Sequence, residues 1–285
     1  MRIYELGDGA PEVAVVGAIH GDEPCGARAV ERLLAEDPPV ERPVKLILAN
    51  EEALERGVRY VDEDLNRAFP GDPDAETHEG RLAHDLGREV RGCTTLAIHS
   101  TQSFGDPFAV VDSLDAVARG IAPRLPVVAL VETDEYTEGR LIEHPHVIEV
   151  EAGLQGTDEA ADNALRLARA FLVAAGALPA SVGDDSSVGD DSSGGDDSSG
   201  GDEPDARDDR EPVPVFRLKA PIPKPPAERY EVFVRNFQRV EAGETFAAAD
   251  GERLTADRPF YPVLLSPYGY ENQFGYTATK AGAVE

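Results

Sequence analysis

The sequence predicts an α/β protein, a mixed sheet with helices on both faces, followed by a small C-terminal β domain. Three observations carry this expectation. Short apolar runs alternate with stretches of helical period through the first 180 residues. A Gly/Ser/Asp tract then interrupts the pattern at 181–211. Beyond it the chain turns to Pro-rich, β-branched and aromatic segments separated by Gly and Asp turns. The division expected is therefore 1–180, 181–211 and 212–285, and 285 residues are ample for a buried core.

Taken in order, strands are expected at 13–19, 44–49, 95–99, 108–111, 126–131 and 147–151, each a short run rich in apolar residues. Helices are expected at 23–35, 76–90, 114–122 and 158–175, where apolar residues recur at helical spacing. The last is Ala/Leu-rich, and Thr157 or Asp158 supplies its cap. Such alternation argues for a parallel or mixed sheet covered by helices. The hexapeptide Gly183-Asp184-Asp185-Ser186-Ser187-Val188 is followed by two near copies, at 189–194 and 195–200, that end in Gly instead of Val. A tract of this kind cannot bury enough apolar surface to offset its ordering entropy, so 181–211 reads as a disordered acidic linker. Three units without regularly spaced large apolar residues do not make a calcium-binding β-helix. In the last segment, strands are expected at 230–234, 244–246 and 261–265.

The charge is unusual. Fifty-five Asp and Glu stand against 27 Lys and Arg, a formal net of -28. Residues 181–211 hold twelve of the acids and two arginines, so the rest still carries -18. Only Lys45, Lys219, Lys224 and Lys280 are lysines. Self-repulsion of that size destabilises the compact state at low salt and keeps it soluble at high salt. The pattern resembles that of salt-adapted, haloarchaeal proteins. With no basic patch to offset this field, a nucleic-acid partner is disfavoured. No apolar run approaches the ~20 residues of a membrane span, and the N-terminus has no apolar leader core, so a cytoplasmic protein is expected. Cys25 and Cys93 lie far apart and outside any CxxC, which suits buried thiols better than a disulfide.

The chemistry concentrates in Gly17-Ala18-Ile19-His20-Gly21-Asp22-Glu23. It follows the apolar run Val13-Ala14-Val15-Val16, so His20 and Glu23 fall where a strand ends and a helix begins. That is where α/β proteins gather their functional groups. Imidazole and carboxylate are both zinc ligands, and His99 closes a second apolar strand. His20, Glu23 and His99 form a His2Glu set that leaves a fourth zinc position for water. His78 and His84 read as solvated helix positions, while His144 and His146 flank Pro145 with no clear setting.

His20-Gly21-Asp22-Glu23, then Asp64-Leu65-Asn66-Arg67, then Ile98-His99-Ser100 resemble the succinylglutamate desuccinylase/aspartoacylase family, a branch of the zinc carboxypeptidase-like hydrolases. The resemblance extends to Glu151-Ala152-Gly153 and Tyr261-Pro262-Val263 and spans most of the chain outside 181–211. It implies a zinc-carboxypeptidase-like catalytic domain with one Zn2+ per chain, and a C-terminal β domain that narrows access to the site. It further implies that Asn66 and Arg67 bind the α-carboxylate of an amino-acid moiety. Arg59 would polarise the scissile carbonyl, Asp64 would orient ligands or arginines from behind them, and Tyr270 would contact substrate, with Tyr268 and Tyr276 as competitors. Strand alternation places Glu149 and Glu151 on one face, so geometry alone does not choose the general base. The resemblance favours Glu151, because Gly153 follows two residues later. Arg140 lies near where some relatives use an arginine for an acyl carboxylate, although the spacing needs a gap.

The function expected is a zinc-dependent amidohydrolase that removes an acyl group from a small N-acyl-amino acid. A metallocarboxypeptidase acting on peptides would use the same metal set and carboxylate clamp. A non-catalytic metal-binding protein would need neither Glu151 nor Arg59. The acyl group, the amino acid and the oligomeric state are not legible in the sequence.

Overall fold

The computed structural model describes residues 1–134, 136, 139–180 and 211–285. The expected linker at 181–211 therefore lies, apart from Glu211, outside the described residues. In chain order the elements are β1 (Arg2–Leu6), β2 (Val13–Gly17), α1 (Cys25–Glu36), β3 (Val44–Leu48), α2 (Glu51–Arg56), α3 (His78–Glu89), β4 (Thr94–Thr101) and β5 (Phe108–Val111). There follow α4 (Ala116–Ile121), β6 (Leu130–Glu132), β7 (Val147–Leu154), α5 (Asp158–Ala174), β8 (Val213–Pro223), β9 (Tyr230–Val232), β10 (Thr245–Ala249), β11 (Glu252–Thr255), β12 (Tyr261–Val263) and β13 (Gln273–Val284).

Ten strands form one sheet in the order β1-β3-β2-β4-β7-β5-β6-β8-β13-β12. Its middle, β3-β2-β4-β7, is parallel, while β1 and β5 join antiparallel. Successive residues of a strand face opposite sides, and β2 uses both. Val13 and Val15 pack with residues of α1, α4 and α5, whereas Ala14 and Val16 pack with Leu82, Ala83 and Leu86 of α3. Every residue of β2 is buried, as a parallel strand covered on both faces requires. Helices thus lie on both faces of a mixed sheet, as expected.

Helix boundaries follow their caps. Thr77, Asp115 and Thr157 each accept a backbone N–H from the first turn of α3, α4 and α5, so these helices begin at 78, 116 and 158. The first helix starts at Cys25, two residues later than expected, because Pro24 occupies the cap position. Glu23 therefore precedes the helix and is free to turn inward. Gly21 lies so close to α2 that a Cβ would sit 2.1 Å from the carbonyl carbon of Ala53, and only glycine fits.

The C-terminal segment extends the main sheet. β8 runs parallel to β6 at 215–217 and antiparallel to the long β13, which also pairs β12. β9, β10 and β11 form a separate three-stranded sheet. Strands β8 and β13 were not expected from the sequence: Pro214, Pro221 and Pro223 argue against pairing in β8, and Gly275 and Gly282 interrupt β13. The structure accommodates them with register shifts in the β8–β13 ladder and by pairing β6 only with Val215 to Arg217. β6 itself starts at Leu130 rather than 126, after Pro126.

Candidate functional site

The parallel strands β2, β4 and β7 end side by side, and their carboxyl ends deliver the polar side chains. His20 and Glu23 come from the turn after β2, His99 from β4, and Glu149 with Glu151 from β7. The β4–β7 register sets Ala97 beside Glu149 and His99 beside Glu151. Arg59, Asn66 and Arg67 arrive on the loop after α2, Arg140 before β7, and Tyr270 between β12 and β13. All of these line one cavity of about 810 Å³ counting its mouth. The sequence-derived set of His20, Glu23, His99, Glu151, Arg59, Asn66, Arg67 and Tyr270 is therefore brought together in one place.

At its centre, Glu23 lies between the two histidines. Its Oε1 is 2.9 Å from His20 Nδ1 and its Oε2 is 3.1 Å from His99 Nδ1. The ring centroids are 5.0 Å apart, and all three residues are buried. The Ser100 amide donates to Glu23 Oε2 at 3.0 Å and Arg59 Nη1 to Oε1 at 3.0 Å. On the far side of its ring, His20 Nε2 is 3.0 Å from Asp64 Oδ1. Asp64 Oδ2 in turn accepts from Arg59 Nε and Nη2 at 3.1 and 3.0 Å. Asp64 also caps the short turn Leu65–Arg67 by accepting the Asn66 amide.

A divalent metal fits this donor set. Zinc ligands at about 2.0–2.2 Å in a tetrahedral site stand roughly 3.3–3.6 Å from one another. The ligand atoms offered by His20, Glu23 and His99 all lie within 4.8 Å of each other. With its Nε2 turned to Asp64, His20 has Nδ1 facing the same carboxylate that His99 Nδ1 faces. A carboxylate on the outer ring nitrogen is the arrangement that fixes the tautomer of a metal-bound histidine.

The electrostatics are polarised in the same sense. Burial opposes a charged Glu23, but His20 and His99 outweigh it and hold its carboxyl well below the usual range. Burial likewise opposes charge on His99, yet Glu23 and Glu149 raise it to about 9 in the metal-free protein. Glu151 is shifted the other way: burial, then the Glu23 and Glu149 charges, push its carboxyl up against the pull of His99. Its Oε2 is buried and has no hydrogen-bond partner among the described residues. Glu149 differs, because its Oε1 accepts from Asn66 Nδ2 at 3.2 Å. Asn66 Oδ1 accepts the Leu141 amide at 3.0 Å, so much of the Asn66 amide is committed to the protein. Arg67 donates to the Asn66 carbonyl at 2.6 Å. Burial and neighbouring Arg140 both disfavour its charge.

Several contributors were not singled out from the sequence. The Ser100 amide was hidden because a backbone donor has no side-chain signature. Glu79 is fully buried in the first turn of α3 and accepts the amides of Val61, Asp62 and Glu63 and the Asn50 side chain. It thereby shapes the loop between Arg59 and Asp64. His78 is half-buried against Asn50 rather than solvated, and His144 packs edge-on against Phe69.

Residues 9–103 match the model of the succinylglutamate desuccinylase/aspartoacylase catalytic domain. No curated protein matches the chain. Among solved structures, the ectoine utilization protein EutE (DoeB) from Ruegeria pomeroyi, in its product-bound form, is 19% identical with a TM-score of 0.71, covering 99% of this chain and 88% of that one. A succinylglutamate desuccinylase/aspartoacylase from Rhodobacter sphaeroides is 17% identical, TM-score 0.70, covering 98% and 88%. Murine aminoacylase 3 is 18% identical, TM-score 0.66, covering 97% and 99%. These likenesses extend the shared fold over 97% to 99% of the chain, C-terminal β region included. The motifs at His20, Asp64 and His99 all lie inside the matched segment, so residues 9–103 are similar to the catalytic domain of the succinylglutamate desuccinylase/aspartoacylase family.

Proposed function

We propose that this protein is a zinc-dependent amidohydrolase that releases a free amino acid and a carboxylic acid from an N-acyl-amino acid. The observation that carries the reading is the convergence of His20 Nδ1 and His99 Nδ1 on Glu23, beside the unpartnered carboxylate oxygen of Glu151. A mere metal site has no use for the second feature. His20, Glu23 and His99 would hold one zinc, which supplies Lewis acidity and lowers the pKa of a bound water toward ~7.

The protein's own groups do the rest. Glu151 takes the proton from the attacking water and returns it to the departing nitrogen as the C–N bond breaks. A carboxyl raised by burial is suited to both halves of that transfer. Arg59 spends three N–H bonds on Glu23 and Asp64. Two of its five donors remain for the acyl oxygen as negative charge develops there. Arg67 has no carboxylate partner among the described residues, which suits bidentate capture of the α-carboxylate. Asn66 supports it from a fixed position, and the Tyr270 ring closes the cavity wall.

The names of the structural neighbours, which include desuccinylases and an aminoacylase, support small acylated amino acids over peptides. The strongly acidic composition supports a salt-adapted, cytoplasmic enzyme. Among the described residues no helix is long and apolar enough to cross a membrane. In keeping with the same reading, 1–180 would form the catalytic unit and 212–285 the part that narrows its mouth. The test is hydrolysis of N-acetyl-, N-succinyl- and N-formyl-amino acids and short peptides in multimolar KCl, with chelator and with added zinc. Chelator-sensitive release from one acyl class is the expected result. Cleavage of peptides alone would make the protein a carboxypeptidase, and silence with zinc bound would sink the deacylase assignment for these acyl classes.

A further inference from the structure

Lys224 is set among aromatic rings. Among the described residues it pairs with no carboxylate. Its ammonium instead lies 4.8 Å from the ring centre of Tyr230, 5.7 Å from that of Phe274 and 6.0 Å from that of Tyr268. Cations over ring faces at such distances are attracted by the ring quadrupole. The rings brace one another: Tyr230 meets Phe274 edge-on at 5.5 Å and Tyr268 at 6.2 Å. Tyr230 is itself fixed, donating its hydroxyl to the Pro225 carbonyl and accepting the Ala227 amide.

From this cage the ammonium donates to one acceptor, the backbone carbonyl of Tyr270. Tyr270 lies on the loop 264–272 that joins β12 to β13 and forms part of the cavity wall. The loop is otherwise held at its two ends. Ser266 Oγ accepts the amides of Tyr268 and Gly269, and the Lys224 amide donates to the Asn272 carbonyl at 3.1 Å. Between those ends, Lys224 Nζ is the group that fixes the Tyr270 backbone. A fixed carbonyl sets the direction of the Tyr270 side chain, whose ring packs edge-on against Tyr276 at 6.1 Å.

We propose that Lys224 is a positioning residue for the substrate cavity. Caged by Tyr230, Tyr268 and Phe274, its ammonium clamps the Tyr270 carbonyl and keeps the Tyr270 phenol on the cavity wall. The inference rests on the proposed function in one respect, that Tyr270 borders bound substrate. A lysine suits the task because its charge is compact and sits on a long, slim stem.

The test compares wild type with Lys224→Met, which keeps the stem and removes charge and donors, and with Lys224→Arg, which keeps both. Amide hydrogen exchange across 268–272 is read first, because it needs no substrate. Exchange there should speed up at least tenfold in Lys224→Met and stay near wild type in Lys224→Arg. On the acyl-amino acid cleaved by the wild type, KM should rise about tenfold in Lys224→Met with kcat within about twofold and zinc content unchanged. A lower melting temperature with loop exchange and KM at wild-type values would overturn the clamp. Should Lys224→Met not fold, Tyr268→Leu opens the cage at its most exposed ring and should shift exchange in the same direction; no shift there would overturn it too. If the wild type cleaves no acyl-amino acid, the proposed function fails while the exchange comparison still decides the clamp.

Discussion

His20 presents its outer ring nitrogen to Asp64, with Nε2 and Oδ1 3.0 Å apart, while its inner nitrogen faces Glu23. A carboxylate that also grips Arg59 through two donors would thus fix the tautomer of a metal-bound His20. Asp64→Ala removes both holds. Loss of such an outer partner lowers metal affinity by roughly 10–100-fold. Competition against a calibrated zinc chelator measures this directly, and a variant that binds zinc as tightly as wild type would contradict the arrangement.

Protons and metal compete for the same histidines. In the metal-free protein Glu23 and Glu149 outweigh burial and raise His99 to about 9, from an unfolded value near 6.5. A raised histidine contributes stability that is fully present below the unfolded value and is lost as pH climbs through the folded one. The melting temperature of the chelated protein should therefore fall between about pH 6.5 and about pH 9. Zinc requires neutral imidazoles, so its affinity should rise over the same interval and its binding should release protons. Calorimetry in buffers of different ionisation enthalpy reads the proton count; a pH-independent affinity would argue against coordination by these histidines.

Glu79 is as heavily committed a carboxylate as Glu23 or Asp64. Three consecutive backbone amides and the Asn50 side chain donate to it, and it is fully buried. Glu79→Ala strands these donors, at about 1–3 kcal/mol for each one left without water. Equilibrium unfolding should show a loss of about 3 kcal/mol or more. A loss under ~1 kcal/mol would mean that water enters and replaces the carboxylate.

The sequence made the strand-end chemistry legible because two short motifs and a strand-end histidine carry side-chain signatures. His20, Glu23 and His99 could be placed from apolar runs and glycines alone, since parallel strands bring their carboxyl ends together. The choice between Glu149 and Glu151 could not be made from alternation, because both project to the same side of β7. What distinguishes them is a partner 83 residues away, the Asn66 amide that donates to Glu149. Strands β8 and β13 escaped notice for a related reason. Their prolines and glycines obscure local strand character, and their pairing depends on β6 and on bulges that no local pattern encodes. Backbone donors such as Ser100 N and the Glu79 clamp leave no motif at all.

The proposed function turns on Glu151 as the proton shuttle of a metal-dependent hydrolase. Its most direct test is Glu151→Gln, assayed for zinc content and for hydrolysis of the acyl-amino acid that the wild type cleaves. The variant keeps the shape of the side chain and leaves His20, Glu23 and His99 intact. The variant should hold one zinc per chain, as in wild type, with kcat/KM reduced by roughly 10²–10⁴-fold. Hydrolysis at the wild-type rate with zinc retained would contradict it.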